Sequence, residues 1–191
     1  MIENLLYWDS KLFLYINNWG IGQEAFWLLV TSHYFWLLLF IPLLFLFFKK
    51  PYIQFVYIII AFALLILVSD QFANLIKLTV ERPRPCQINY LLKEMNFIAS
   101  HCGAYGFYSA HATNSTAMVF FALLMLKHFN RYKHVYGLYG LCFVLLVSIS
   151  RIMVGVHYPL DLVVGYLSGI ILAYLFYIVY RLLESKLTKK A

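Results

Sequence analysis

Five apolar runs dominate this chain, at about 25–48, 53–76, 109–127, 135–151 and 159–181. A helix takes roughly 20 such residues to cross the hydrocarbon core of a bilayer, and each run reaches or approaches that length. The expected fold class is therefore an all-α membrane protein. It is a bundle of about five transmembrane helices preceded by an N-terminal interfacial amphipathic helix. Only 12% of the residues are charged and 63% are hydrophobic, whereas a soluble domain is about a quarter charged. The length suits one membrane-embedded domain over 1–191. Aromatic residues make up 19% of the chain, which fits Tyr and Trp belts at headgroup level.

The runs are punctuated as spans should be. Lys49, Lys50 and Pro51 separate the first two, a polar loop at 77–108 follows the second, and a basic stretch at 127–133 separates the third and fourth. Gly155 and Pro159 mark the turn before the fifth. Five spans put the termini on opposite sides. Lys49, Lys50, Lys127, Arg131, Lys133, Arg181, Lys186, Lys189 and Lys190 fall on one face, against Lys11, Lys77, Arg82, Arg84, Lys93 and Arg151 on the other. The larger set lies in short loops and the tail, where an excess of Lys and Arg marks the cytoplasmic side. The C-terminus is thus expected to be cytoplasmic, and the N-terminus, the 77–108 loop and the 151–159 turn face outward. The net charge of +7 reads as topology plus a site, with no aromatic-interleaved basic surface for nucleic acid.

The first 22 residues lack the clean apolar core of a signal peptide, and residues 3–18 read as a short amphipathic helix. On a helical wheel they sort into two faces. Ile2, Leu5, Leu6, Trp8, Leu12, Phe13 and Ile16 lie on one, breached by Asp9; Glu3, Asn4, Ser10, Lys11, Asn17 and Asn18 lie on the other. This pattern suits a helix lying in the interface, and equally a surface helix packed on the bundle.

Three polar clusters sit at the outward ends of the spans: Lys77 to Arg84-Pro85, Tyr108-Ser109-Ala110-His111, and Ser150-Arg151 through His157 to Asp161. His157 and Asp161 are four apart, so on a helix they share a face. The carboxylate can then accept the Nδ1 proton and leave Nε2 as an oriented nucleophile; the same spacing also suits a structural pair at a helix start. His111 stands beside Ser109, a candidate N-cap. It can act as an acid toward a leaving alkoxide, or be an interfacial histidine with no chemical duty. Lys77, Arg84 and Arg151 supply cations suited to phosphate, whereas Lys77 and Arg82 also fit snorkelling interfacial residues. This set calls for no metal and no cofactor.

Lys77 with six residues to Arg84-Pro85, then Ser109-x-His111, then Ser150-Arg151 with five residues to His157 and three more to Asp161, resembles the three-part signature of the type 2 phosphatidic acid phosphatase superfamily. That family includes lipid phosphate phosphatases, undecaprenyl diphosphate phosphatases, glucose-6-phosphatases and vanadium haloperoxidases. The resemblance implies that His157 attacks phosphorus, Asp161 orients it and His111 protonates the leaving oxygen. Lys77, Arg84, Ser109, Arg151 and the Ala110 N–H would hold the phosphoryl oxygens. The second motif departs from the family's usual Pro-Ser-Gly-His by reading Tyr108-Ser109-Ala110-His111. Ala110 still offers its N–H unless the turn needs positive φ. The implied enzyme is a metal-independent membrane phosphatase acting through a phosphohistidine on a lipid phosphate or diphosphate, in a bacterial inner membrane with its site facing outward. Undecaprenyl diphosphate, phosphatidylglycerol phosphate, phosphatidic acid and a lipid A phosphate all remain open as substrates. The competing reading is a catalytically silent scaffold or transporter that keeps the fold.

Cys86 and Cys102 share the outward loop, where an oxidising compartment would allow a disulfide. Cys142 reads as a small core residue and His101 as a loop-surface residue. Asp70 and Asn74 lie one helical turn apart and suit bonds within the bundle, or else a place facing the substrate channel. His33 and Tyr34 read as packing or interfacial groups inside the first span.

Overall fold

The computed structural model describes residues 2–48, 50–126 and 130–188. Lys49, Lys127, Lys189 and Lys190, four of the basic residues used to assign the cytoplasmic face, lie outside them. The described helices are α1 (Ile2–Asn18), α2 (Glu24–Thr31), α3 (Leu37–Phe47), α4 (Tyr52–Val80), α5 (Asn89–Leu92), α6 (Ala110–Met125), α7 (Asn130–Met153) and α8 (Pro159–Thr188). Short 3-10 turns occupy His33–Trp36 and Pro85–Gln87.

Three helices, α4, α7 and α8, are long and apolar enough to cross a bilayer. Two expected spans take a different form. The run at 25–48 is not one helix. It breaks at Ser32, and the two halves meet at 60°. Ser32 takes an extended backbone (φ −73°, ψ 156°), and its hydroxyl bonds back to the Leu29 carbonyl at 2.7 Å, which satisfies a helix-end acceptor. His33 and Tyr34 therefore sit in the 3-10 turn at the bend of this run. The second departure is α6, which has 16 residues. That is about 24 Å of helix at 1.5 Å per residue, short of a full span. Its position explains the length: nine of its residues are buried, many of them Ala, Ser or Thr, and α4, α7 and α8 surround it.

The most extensive helix contact is between α6 and α8, and it depends on two glycines one turn apart. A β-carbon on Gly165 would lie 3.0 Å from the Ser109 carbonyl oxygen, and one on Gly169 would lie 2.6 Å from that of Thr113. Gly-x-x-x-Gly lets helix backbones approach where side chains would hold them apart. Many large apolar residues of α4 and α8 point outward, among them Ile60, Leu64, Leu67, Leu167, Ile171 and Leu175, while Ile58, Phe62 and Leu65 of α4 face the core. Cys142 is exposed on α7, so it is an outward-facing residue and not the core residue expected.

Helix α1 packs on the bundle along a stripe the wheel did not isolate. Asp9, Phe13 and Asn17, spaced by four, are buried. Asn17, expected on the polar face, sits fully inside: its Nδ2 donates to the Ile152 carbonyl at 2.9 Å and its Oδ1 accepts from the Asn96 N–H at 2.7 Å. Leu5, Trp8 and Leu12 remain exposed. The helix thus has one face for the protein and an apolar face left over, which suits an interfacial position.

Candidate active site

The C-terminal ends of α4 and α7 and the N-terminal ends of α6 and α8 lie at one end of the bundle, so motifs far apart in sequence converge there. Helix α4 closes at Glu81, a left-handed residue (φ 53°) that turns the chain toward Arg82 and Arg84. Pro83 then forms an isolated antiparallel bridge with Tyr105, which brings the far end of the loop back under the arginines. Arg84 donates from Nε to the Tyr105 carbonyl at 3.0 Å. Gly103 faces its guanidinium, and a β-carbon there would stand 3.3 Å from Cζ. Lys77 lies within α4, not in the loop as expected, and donates to Asn74 Oδ1 at 3.4 Å. Cys86 and Cys102 are joined, with 6.2 Å between their α-carbons, which pins the same loop. His101 is exposed on it.

Ser109 is the N-cap of α6: its Oγ accepts from the Ala112 N–H. Its own N–H donates to the Asp161 carbonyl oxygen at 3.2 Å, so the second motif is tied directly to the third. Ala110 opens α6 and is not among the positive-φ residues, so the departure from glycine costs no backbone strain. His111, one residue later, stands edge-on to Trp36 with ring centres 6.1 Å apart. Asp70 and Asn114 bond between α4 and α6 at 2.8 Å, as the bundle reading of Asp70 anticipated.

His157 and Asp161 are both buried, and His157 Nδ1 lies 3.2 Å from Asp161 Oδ2. The same carboxylate oxygen accepts the Tyr158 N–H at 3.0 Å. An acceptor at Nδ1 selects the tautomer with Nδ1–H, which leaves the Nε2 lone pair free. Burial pushes the His157 imidazole down to about 4, although the Asp161 contact and charge pull the other way. At neutral pH the ring is therefore unprotonated at Nε2. Arg151 and Arg84 add positive charge near it, and Lys77 shares that field with Arg84 and Arg151. Arg151 donates from Nη1 to Thr31 Oγ1, and its buried Nε has no hydrogen-bond partner among the described residues. A buried guanidinium with an open N–H can serve an anion. Oriented Nε2, three cations and a capped helix N-terminus together can bind a phosphoryl group and attack it.

The structure also brings in residues the motifs passed over. Arg82 is no snorkelling residue: it bonds Asp161 and Asp9. Gly106 lies under the His–Asp pair, where a β-carbon would stand 3.1 Å from Arg84 Cγ and 3.4 Å from Asp161 Oδ2. Thr31 reaches Arg151 only because the first run breaks at Ser32. The signals were present, as one acid in an apolar helix face, a polar Thr-Ser-His interruption and a Gly-x-x-x-Gly pair. None of them named its partner.

Known proteins resemble the chain along most of its length. A lipid A 4'-phosphatase of Porphyromonas gingivalis is 29% identical over 97% of this chain and 78% of its own length. One from Bacteroides thetaiotaomicron is 27% identical over 98% of this chain and 83% of its own. Among solved structures, Aquifex aeolicus LpxE superposes with a TM-score of 0.62 at 28% identity, over 87% of this chain and 92% of that one. A transmembrane PAP2-type phosphatidylglycerolphosphate phosphatase from Bacillus subtilis superposes at 0.66 with 17% identity, over 96% and 87%; at that identity it supports the fold alone. The family model for the PAP2 superfamily matches residues 55–184, a stretch that contains every one of the converging motifs, and the chain belongs to that superfamily.

Proposed function

We propose that this membrane lipid phosphatase hydrolyses a lipid phosphate monoester through a phosphohistidine on His157, with the 4'-phosphate of lipid A as its substrate. The observation that carries the mechanism is the buried His157–Asp161 pair at 3.2 Å, set among Arg84, Arg151 and Lys77. Lys77, Arg84, Arg151, the Ser109 hydroxyl and the Ala110 N–H hold the phosphoryl oxygens. Nε2 of His157 attacks phosphorus while the bond to the lipid oxygen breaks, and His111 gives that oxygen its proton. His111 then takes a proton from water as the water attacks phosphorus. The P–N bond breaks and inorganic phosphate leaves. Positive charge fixed before the reaction, where negative charge builds on the phosphoryl oxygens, lowers the barrier most.

The choice of lipid rests on the two lipid A 4'-phosphatases that align over nearly the whole chain. The excess of basic residues in the short loops supports a cytoplasmic C-terminus and a site facing the periplasm of a bacterial inner membrane. The decisive experiment presents lipid A bisphosphate, phosphatidylglycerol phosphate, phosphatidic acid and undecaprenyl diphosphate side by side to purified protein in detergent with a chelator present. Preferential release of phosphate from the 4' position supports the assignment, and preference for another lipid replaces it. Stoppage of turnover in His157→Ala supports the nucleophile; turnover by that variant removes it. A scaffold or transporter would release no phosphate from any of them.

A further inference from the structure

Asp9 and Arg82 take no part in the proposed chemistry, yet Asp9 is buried against it and the Arg82 side chain is only 13% exposed. Asp9 is 7% exposed on a helix whose neighbours Trp8 and Leu12 face outward. Both of its oxygens are engaged: Oδ1 accepts the Leu160 N–H at 2.9 Å and Oδ2 accepts from Arg82 Nη2 at 2.7 Å. Arg82 gives its other terminal nitrogen, Nη1, to Asp161 Oδ1 at 2.8 Å. Its guanidinium also lies over the Tyr158 ring, 4.0 Å from the centre, and Phe13 of α1 packs edge-on against that ring. An unbroken chain of charged hydrogen bonds thus runs Asp9–Arg82–Asp161–His157.

Packing does not account for this chain. Buried ions lose their hydration, and apolar side chains of similar volume would fasten α1 as well or better. Restraint does account for it. A guanidinium with both prongs taken cannot turn, and the carboxylate it grips cannot turn either. Asp9 is itself held by the backbone of Leu160, the residue before Asp161, so the linkage closes on the segment it orients.

We infer that Asp9 and Arg82 are positioning residues for the phosphatase reaction. Asp9, carried on α1, locks the Arg82 fork. That fork fixes the Asp161 carboxylate in the orientation that aims His157 Nε2 at phosphorus. The inference rests on His157 as the nucleophile, and it makes the seating of α1 a determinant of turnover. The charged and titratable groups that act on His157 are Asp161 on α8, Arg84 from the loop after α4, Arg151 from α7 and His111 from α6; Asp9, Arg82 and Tyr90 act on the adjoining Tyr158, and Lys77 and His33 act on His111.

The test uses the full chain in detergent. Asp9→Asn and Arg82→Gln are each expected to lower kcat about tenfold, as loss of an orienting partner does. KM should stay within about twofold, because the phosphate-binding cations are untouched. The His157 titration, followed by NMR of ring-labelled histidine, should move in opposite directions. It falls in Asp9→Asn, where the Arg82 charge loses its outer partner. It rises in Arg82→Gln, where two carboxylates are left near the imidazole. The double variant should return it toward the wild-type value. A merely structural role would lower stability and leave kcat per folded enzyme in place; that result overturns the inference, as does movement of both titrations the same way or not at all. Should Asp9→Asn fail to fold, Arg82→Lys keeps the charge and loses the fork. It is expected to lower kcat and leave the His157 titration in place, and wild-type kcat in that variant overturns the inference. His157→Ala separates the two ideas. Turnover by it removes the nucleophile; its inactivity alongside wild-type turnover in the Asp9 and Arg82 variants removes only the positioning role.

Discussion

Gly169 on α8 lies so close to the backbone of Thr113 on α6 that a β-carbon on residue 169 would stand 2.6 Å from the Thr113 carbonyl oxygen. Ser109 caps α6 and His111 lies in its first turn, while Asp161 lies in the first turn of α8 and His157 just before it. The spacing of the two helices therefore sets the spacing of the proposed acid and the proposed nucleophile. Gly169→Val should force the helices apart, destabilise the protein by about 1–3 kcal/mol as overpacking does, and abolish phosphate release. Thermal unfolding in detergent and a phosphate assay check both parts. Wild-type turnover in Gly169→Val would show that the close approach has no bearing on the site.

Gly106 offers a finer probe. A β-carbon there would press on Arg84 Cγ at 3.1 Å, Asp161 Oδ2 at 3.4 Å and His157 Nδ1 at 3.6 Å. Gly106→Ala is expected to leave the fold intact and lower kcat/KM about tenfold, since small misplacements of reacting groups are costly. The measurement is steady-state kinetics beside a melting curve.

Arg151 has a hydrogen-bond partner at Nη1 and, among the described residues, none at its buried Nε. If that nitrogen serves the phosphoryl group, Arg151→Lys keeps the charge and loses the fork. A fall in kcat/KM of about a hundredfold is expected, comparable to removing one donor to a developing anion. Thr31→Val should cost less, because it removes only the group that steadies the guanidinium. Equal losses in the two variants would count against a direct phosphate contact.

Burial pushes the His157 imidazole down to about 4, against an ordinary value near 6.5. Above about pH 4 the ring is neutral and can attack; below it Nε2 is protonated and cannot. NMR of ring-labelled histidine should show His157 titrating near 4 and absent from that position in His157→Ala. Stability follows with a definite sign. Between 6.5 and 4 the unfolded chain binds the proton that the folded chain refuses, so stability falls as pH drops through that window. A His157 midpoint at or above 6.5 would contradict the buried setting.

Cys86 and Cys102 close a loop of 16 residues that holds Gly103 against Arg84. Under non-reducing, denaturing conditions an alkylating reagent should label Cys142 alone. Reduction should lower stability by about 3 kcal/mol on the chain-entropy account of a loop this long. Labelling of all three thiols without reductant would refute the bond.

Much of this protein was legible before any coordinates. Continuous apolar runs allow only a few solutions in lipid, so the helical bundle follows from the sequence pattern itself. Close spacing made the candidate site legible too: His157 and Asp161 meet, although His157 precedes α8 and the contact is made across the helix start, and Ser109 caps α6 because its hydroxyl precedes the helix. These relationships are local, and local geometry is written in residue order. The tertiary structure decided what depends on residues far apart. It broke the first run at Ser32 so that Thr31 reaches Arg151, and it buried Asn17 that a two-face wheel had placed outside. It also turned Asp9, an apparent blemish on an apolar face, into the far end of a charged chain leading to His157. No periodicity announces that Asp9 and Arg82 will meet across 73 positions. That pairing depends on how closely α6 and α8 pack and on where α1 comes to rest against them. Such distances are set by the whole bundle at once.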